Sequence, residues 1–363
     1  STMTEQLKLK LNDPKATRWG ALVIVAFTMM AAYYVNDVVA PLKTMLETDL
    51  AWSSTDFGFF TGGYSFLNVF FLMLIWGGLI LDRFGIRFTG KLATILMVGG
   101  TALEYYAMTG LAGADATLFG INEIFGYKTG VFVAFAGYSI FGVGAEVAGI
   151  TVSKIIAKWF KGKELATAMG VQVALARIGS QAGYAVAIPL ARAFGISTPV
   201  LLGLVLLLGG MIAFFVFAVM DKKLDKQMEA AAIAAGTEDE EEKFSFKDVK
   251  NILVNPGFWL IALLCVLFYS CVFPFQKFAS ELMIIKYGIN ENVAGTFAGL
   301  PALGALILTP VFGGFIDKRG KSASIMLLGS AMLICVHFIY AIPDINYWLV
   351  AIVLMIILGI AFS

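Results

Sequence analysis

Residues 77–91 read GGLILDRFGIRFTGK and lie between two long apolar runs. We therefore predict a short loop there that joins two membrane helices. Five of its residues fit the pattern G-x-x-x-D-R-x-G-x-R: Gly78, Asp82, Arg83, Gly85 and Arg87. In such a loop a glycine lets two helices approach closely, and a carboxylate can face the positive end of a neighbouring helix. Basic residues favour the cytoplasmic side.

The pattern returns late in the chain as GGFIDKRGK, at residues 313–321. Its matching positions are Gly313, Asp317, Lys318 and Gly320. Each copy follows the second apolar run of its half of the chain. This arrangement resembles the repeated loop signature of the major facilitator superfamily of transporters. The resemblance implies a fold of two six-helix bundles that function by alternating access.

The composition independently indicates a membrane protein. Apolar residues make up 59% of the chain and charged residues only 14%, whereas soluble domains average about 25% charged residues. We predict an all-α polytopic membrane protein whose spans are residues 19–40, 56–80, 89–110, 130–153, 165–190, 199–220, 253–280, 292–315, 323–342 and 346–363. A net charge of +1 argues against a nucleic-acid partner. No metal-ligand spacing, nucleophile motif or phosphate loop is present, so we expect neither an enzyme nor a cofactor.

The charged, alanine-rich segment 221–250 interrupts these spans. We interpret it as a cytoplasmic linker between an N-terminal six-helix bundle, residues 1–220, and a C-terminal bundle, residues 251–363. The second bundle has only four predicted spans, and we expect about two further helices beyond residue 363. Of the basic residues between spans, only Lys43, Lys128, Arg192 and Lys286 fall on the side opposite the linker. The N-terminus is therefore predicted to be cytoplasmic.

Glu146 and Arg177 are the strongest candidates for a substrate site, because charges inside a membrane are costly and usually functional. Glu146 lies about twelve residues before the basic loop that begins at Lys158, and Arg177 about thirteen residues after that loop ends at Glu164. A rise of 1.5 Å per residue places both roughly 18–20 Å from the loop, near the middle of the membrane. They can satisfy each other as a buried ion pair, or part to receive the ammonium and carboxylate of a zwitterion.

Four polar residues of the first two spans are further candidates for the substrate site: Tyr33, Asp37, Tyr64 and Asn68. The alternative for Asp37 is a helix-end carboxylate in water, and for the residues of the second span helix–helix hydrogen bonding. Glu104 and Lys277 lie toward the outer ends of their spans, where we expect their side chains to reach the interface.

A more specific resemblance is carried by WFKGKEL at residues 159–165 and ARIGS at residues 176–180. With YYVND, YSFLNV and VFPF elsewhere in the chain, these stretches resemble the lysosomal dipeptide transporter branch of the superfamily. In that branch the acidic residue of the fourth helix and the arginine of the fifth hold the termini of a dipeptide. The resemblance assigns those roles to Glu146 and Arg177, and implies a dipeptide transporter, possibly a uniporter.

Several features depart from that branch. No N-terminal dileucine sorting signal and no N-x-S/T glycosylation site is present, which favours a prokaryotic inner membrane over a lysosome. We expect a monomer that acts on a small-molecule substrate in the lipid bilayer; the need for an accessory subunit is open. The alternatives are a proton-coupled organic-anion carrier anchored by Arg177, and a membrane receptor or assembly protein that does not transport. The E-x-x-E-R signature of proton-coupled oligopeptide symporters is absent from the first span.

Overall fold

A computed structural model describes residues 10–236 and 246–363, except for the side chains of residues 246, 248, 310, 313, 314, 316 and 317. The described chain is almost entirely helical. In order, the helices are α1 (Lys15–Val38), α2 (Lys43–Leu50), α3 (Ser54–Phe70), α4 (Met73–Thr109), α5 (Thr129–Trp159), α6 (Leu165–Phe194), α7 (Thr198–Ala235), α8 (Phe246–Leu253), α9 (Pro256–Ile285), α10 (Glu291–Ala298), α11 (Leu300–Arg319), α12 (Ser322–Ala341) and α13 (Trp348–Phe362). A 3₁₀ turn, Ala40–Leu42, precedes α2, and a hairpin of β1 (Glu123–Ile124) and β2 (Tyr127–Lys128) precedes α5.

The predicted spans all fall on helices, and the fold is that of an all-α membrane protein. Within the described residues, six helices are long and apolar enough to cross a membrane, or seven if the bent pair α3–α4 counts as one span. That pair bends by 58° at Phe71–Leu72, a break inside the second predicted span. Leu72 there adopts a left-handed φ of 52°, which ends the regular hydrogen-bonding of α3.

The predicted loop at residues 77–91 is mostly helical, which differs from our expectation. Only Gly85 departs from helical geometry, with φ 79° and ψ 177°, and it marks the turn between the second and third spans within α4. Glycine is suited to this position because it lacks the Cβ atom that makes positive φ unfavourable. The residues on either side keep helical geometry, so the turn is confined to this single residue.

Buried apolar side chains form two clusters. The larger one is built from α1–α7, which we call the first half, and includes Tyr138 and Trp159. The smaller one lies in α9–α13, which with α8 we call the second half, and it also takes in Ala40 and Tyr184 from the first half. Helix α7 continues to Ala235, through the first part of the segment that we assigned to the linker.

Small residues set the spacing of the first-half helices. At the crossing of α4 and α5, a Cβ atom on Gly100 would lie 2.4 Å from the Gly137 carbonyl oxygen, and one on Gly137 would lie 2.5 Å from the Gly100 oxygen. Lipid tails are as apolar as leucine, so close packing of this kind supplies much of the attraction between membrane helices. It also fixes how far the side chains of α5 reach toward the centre of the molecule.

Candidate functional site

A cavity of about 870 Å³ lies between the two halves. It is lined from the first half by polar and charged side chains and from the second half mainly by aromatic ones. Five of the six predicted substrate-site residues line it: Tyr33, Asp37, Tyr64, Glu146 and Arg177. Asn68 is outside this lining; its Nδ2 donates to the Tyr64 carbonyl oxygen at 3.2 Å, one turn back along α3. The cavity is the natural place to look for a ligand.

Glu146 projects from the middle of α5 into the cavity. Its Oε1 accepts a hydrogen bond of 2.7 Å from the Tyr64 hydroxyl group. Helix α3 can deliver Tyr64 there because Gly142 lies against its backbone: a Cβ atom on Gly142 would be 2.4 Å from the Tyr64 carbonyl oxygen. Glu146 therefore has a neutral donor on one oxygen, and its carboxyl group faces the cavity.

Arg177 reaches the cavity from α6. Helix α6 lies tightly against α1 at Gly179, where a Cβ atom would be 2.2 Å from the Met30 carbonyl oxygen. The Arg177 guanidinium carbon lies 5.1 Å from the ring centroid of Phe362, a cation–π distance. Of the two arrangements that the sequence allows for Arg177 and Glu146, the structure has the separated one: the described ion pairs within 4.0 Å do not join these two residues. The two opposite charges therefore face the same cavity without direct contact.

Asp37 and Lys277 form a second pair of opposite charges in the cavity wall. The Lys277 ammonium group lies 4.0 Å from Asp37 Oδ1 and donates to the Asn36 carbonyl oxygen at 2.7 Å and the Tyr138 hydroxyl oxygen at 3.0 Å. Ser180 Oγ donates to Asp37 Oδ2 at 2.5 Å. Asp37 is thus a buried, bonded carboxylate and not a helix end in water.

The prediction for Lys277 was wrong. We expected it to reach the interface, yet its side chain is only 16% exposed and points inward to the first half. A signal was available: Lys277 lies eight residues before the end of α9 at Ile285, a depth of about 12 Å, which exceeds the reach of a lysine side chain. Depth along the helix, and not position in the outer half, was the deciding quantity.

Glu104 is also deeper than expected. It is fully buried in α4 at the crossing with α5, and neither carboxylate oxygen has a hydrogen-bond partner among the described residues. It does not line the cavity. We expected it at the interface as well. The tight crossing of α4 and α5 at Gly100 and Gly137 buries this level of α4 instead.

Residues of both halves meet on one side of the cavity. The Lys43 ammonium group, with 2% of its side chain exposed, donates to Glu281 of α9 at 2.6 Å, Glu47 at 2.7 Å and Ser54 at 2.9 Å. Arg192 forms an ion pair with Glu291 of α10. These contacts close the cavity on this side, which we call the closed side.

The other side carries most of the basic residues, and we call it the basic side. The ion pairs around Asp13, Glu164 and Asp221 on this side join parts of the first half. Asp221 of α7 is fully buried and accepts hydrogen bonds from Arg87 at 2.7 Å and Lys158 at 2.9 Å. Asp225 pairs with the same two cations.

The loop-motif residues differ in what they contact. Asp82 lies 3.6 Å from Lys154, and both side chains are largely exposed. Close helix packing falls at Gly77, where a Cβ atom would be 2.4 Å from Val147, and not at the predicted Gly78, which has open space. Arg83 lies over the ring of Phe84.

In the second copy, Lys318 is exposed and Gly320 has a φ of 64°, which ends α11 in the same way that Gly85 turns α4. The surroundings of Gly313 and the side chain of Asp317 lie outside what the structure describes. The backbone likeness of the two copies therefore rests on the two glycines with positive φ.

Near the short α5–α6 loop, Glu164 accepts hydrogen bonds from Trp19 Nε1 at 2.9 Å and Arg18 at 3.0 Å, and lies 3.2 Å from Lys15. These donors, the indole first, lower the pKa of Glu164 to about 2. Glu164 itself has a left-handed φ of 53°. The WFKGKEL stretch thus ties the start of α1 to the start of α6.

The family follows from the sequence as a whole. The model of the Major Facilitator Superfamily matches residues 22–363. The chain belongs to this superfamily. Its members are transporters and not enzymes.

Among curated proteins, the chain is similar to the lysosomal dipeptide transporter MFSD1 of Homo sapiens, with 27% identity over 369 residues, 97% of this chain and 72% of the relative. The protein of the same name from Gallus gallus is 30% identical over 240 residues, 62% of this chain and 51% of that relative. Among solved structures, the inward-open xylose transporter XylE from E. coli has a TM-score of 0.65 at 14% identity, covering 95% of this chain and 79% of that one. At that identity the likeness concerns the fold alone.

Proposed function

We propose that this chain carries dipeptides, or similar small zwitterions, across a membrane by alternating access. One observation carries the proposal: Glu146 and Arg177 face a single cavity from neighbouring helices without pairing with each other. A ligand with an ammonium group at one end and a carboxylate at the other can meet both charges. Each buried charge then gains the partner that offsets its desolvation.

The charges of the cavity wall support a zwitterion over an anion. Two carboxylates, Asp37 and Glu146, face two cations, Arg177 and Lys277. Lys277 already has oxygen partners from the first half, whereas the contact described for Arg177 is with the ring of Phe362. Arg177 is thus the cation available to a ligand carboxylate, and Glu146 the anion available to an ammonium group. The relatives named as dipeptide transporters support the same substrate class.

The asymmetry of the contacts supports alternating access. Besides the Asp37–Lys277 pair in the cavity wall, two described ion pairs between the halves lie on the closed side, at Lys43 and Arg192, and the pairs of Asp221 on the basic side lie within the first half. We propose that the halves, joined through segment 221–250, rock about the cavity so that the closed side opens when the basic side closes. We also propose that the basic side faces the cytoplasm, in a prokaryotic inner membrane, because its loops carry most of the basic residues.

Binding of a zwitterion to Glu146 and Arg177 needs no bound proton, so we propose uniport. The ligand brings one positive and one negative group, and the net charge of the cavity is unchanged whether or not it is occupied. An imposed pH gradient should then not be required for uptake. A proton-coupled carrier would need a carboxylate to change its protonation state in each cycle.

The test is transport by the purified chain in proteoliposomes, with a dipeptide, its N-acetyl derivative, a free amino acid and a dicarboxylate as substrates. We expect counterflow of the dipeptide without a pH gradient and with no proton flux reported by an internal pH dye. Preference for the dicarboxylate would favour the organic-anion carrier. Binding without counterflow of any substrate would favour a non-transporting receptor. Glu123→Gln, an exposed hairpin carboxylate, serves as the control variant for Glu146→Gln.

A further inference from the structure

We propose that the hairpin between α4 and α5 anchors the closed side of the protein in the interfacial layer of the bilayer. The hairpin comprises residues 118–128. Two of its side chains are aromatic and almost fully exposed: Phe119 is 96% exposed and Phe125 is 87% exposed. Full exposure of two large rings to water would be unfavourable, because burying a phenylalanine side chain is worth about 1.5–3 kcal/mol. Something other than water is expected to cover them.

The backbone holds both rings outward at a conformational cost. Phe119-Gly120 and Phe125-Gly126 are the central pairs of two tight turns, with φ values of 52° and 79° in the first and 51° and 81° in the second. Positive φ at both central positions is the type I′ arrangement, for which Asn-Gly is the preferred pair. Phenylalanine in a left-handed conformation is strained. The same unfavourable choice occurs twice, and both times it projects a ring from the turn.

The base of the hairpin is fixed to the membrane helices, so the rings have a defined place. Tyr127 stacks on Phe59 of α3 with 3.9 Å between ring centroids, and Lys128 Nζ donates to the Ala51 carbonyl oxygen at 2.9 Å. Thr129 Oγ1 donates to the Ile121 carbonyl oxygen at 2.8 Å. The hairpin therefore lies on the outer ends of α3 and α5.

The bilayer is the partner because the hairpin continues an aromatic stripe on the spanning helices. The Phe125 ring lies 5.9 Å from Phe132, and the stripe continues through Phe135 and Phe66 to Phe70. Phe66 and Phe70 are 37% and 73% exposed on α3, part of a chain that crosses the membrane. Contact with acyl chains there extends without interruption to the hairpin. Aromatic rings at helix ends commonly occupy the interfacial layer.

Charge and hydrogen bonding are compatible with this placement. The hairpin pairs its own backbone at Leu118–Ile121, Ile124–Tyr127 and Glu123–Lys128, so few polar groups are lost at the interface. Its carboxylate, on the exposed Glu123, lies in the strand and not at either turn. Only the two rings need to leave water.

Site-directed spin labels test the proposal in lipid nanodiscs. The single-cysteine variants Phe119→Cys, Phe125→Cys and Glu123→Cys are made in a chain whose exposed Cys265, Cys271 and Cys335 are replaced by serine. Labels at 119 and 125 should collide with dissolved oxygen more than with a water-soluble nickel chelate, giving a ratio several-fold above that at 123. Preferential access of the nickel chelate at 119 and 125 overturns the proposal. Protection of both labels from both reagents also overturns it, because a protein surface then covers them.

The double variant Phe119→Asn/Phe125→Asn gives a second readout that does not depend on labels. Asparagine suits both turns, so if the hairpin were exposed to water the double variant should relieve strain and have a higher unfolding temperature than the wild type. In nanodiscs we expect a lower unfolding temperature, because the lipid contacts are lost. An unchanged or higher temperature contradicts membrane anchoring. The single variant Glu123→Gln on the same hairpin is the control, and it should leave the temperature unchanged.

Discussion

Glu146 and Arg177 illustrate what a pair of intramembrane charges can do when each has a weak partner of its own. Tyr64 offers Glu146 a neutral hydrogen bond, and Phe362 offers Arg177 a ring face. Neither partner neutralises its charge. The cavity therefore presents two charged groups whose contacts a charged group of a ligand can replace or supplement.

Arg177→Lys tests whether the guanidinium group binds the ligand carboxylate. A planar fork can donate two parallel hydrogen bonds, which an ammonium group cannot reproduce. We expect dipeptide binding to weaken by roughly tenfold or more, corresponding to about 1.5–3 kcal/mol for a charged hydrogen bond. The measurement is calorimetric binding to the purified variant, with Arg319→Lys on the exposed end of α11 as control. Unchanged affinity would show that Arg177 has a structural role.

Glu146→Gln tests recognition of the free amino terminus. On the wild type we expect N-acetylation to cost a dipeptide roughly tenfold or more in affinity, because Glu146 would lose the cation it faces. The glutamine variant should bind acetylated and free dipeptides with similar affinity, because an amide does not require a cation. Competition against one labelled dipeptide measures both. If the wild type binds acetylated and free dipeptides with equal affinity, the role assigned to Glu146 is wrong and an organic-anion carrier is favoured.

Glu164 gives a pH test at the residue scale. Its pKa of about 2 lies below the ordinary value of 4.5, so its contribution to stability is present above that ordinary value and is lost only as pH falls through about 2. We expect Glu164→Gln to lower the unfolding temperature by the same amount at pH 7 and pH 5. Thermal unfolding in detergent at both values measures this. A loss at pH 7 that disappears at pH 5 would contradict the lowered pKa.

At the element scale, the basic side is organised around the buried Asp221. It binds Arg87 of the motif together with Lys158 and the Trp159 indole nitrogen at 2.9 Å. The motif arginine thus fastens α4 to α5 and α7 within one half. Asp82, by contrast, has only an exposed pairing with Lys154, and such pairs contribute about 0–1 kcal/mol.

Asp82→Asn should therefore affect the transport cycle more than the fold. We expect dipeptide binding to be little changed, because the cavity is remote, and transport to fall by roughly fivefold or more, the low end of coupling free energies between sites. The reason is that the described partner of Asp82 in this conformation is the exposed Lys154, a weak pairing that we expect Asp82 to exchange for another in the opposite conformation. Parallel binding and counterflow assays measure the difference. Equal losses in both would argue against a conformational role.

Helix positions were largely predictable from the sequence, because span length and apolar composition follow from membrane thickness. The depth of Glu146 and Arg177 also followed from counting residues along each helix. Rotation about the helix axis and the choice of neighbour did not, so Asn68 fell outside the cavity, and the sequence could not decide whether Glu146 and Arg177 pair or stay apart. The break at Phe71–Leu72 has no proline or glycine at it, and local sequence therefore gave no signal for it.

For the whole molecule, the closed side is held by a cluster whose centre is a single cation. Lys43 binds Glu281 of the second half and Glu47 of the first half, and its side chain is 2% exposed. Two carboxylates are brought together by one ammonium group. Without it they would repel each other across the boundary between the halves, so the cation decides whether this side stays closed.

Lys43→Met should shift the population toward the conformation that is open on this side. Loss of charged hydrogen bonds worth about 1.5–3 kcal/mol corresponds to a roughly tenfold or greater change in the ratio of the two states. Distances between spin labels on the outer ends of α3 and α10 measure that ratio, and they should lengthen. Lys128→Met is the control, because Lys128 donates only to Ala51 within the first half. Adding Glu281→Met to Lys43→Met removes the repulsion and should restore part of the closed population. If the double variant stays as open as the single one, the closed side is held by packing and not by charge. That packing is tightest at Gly295, where a Cβ atom would lie 2.0 Å from the Tyr184 carbonyl oxygen.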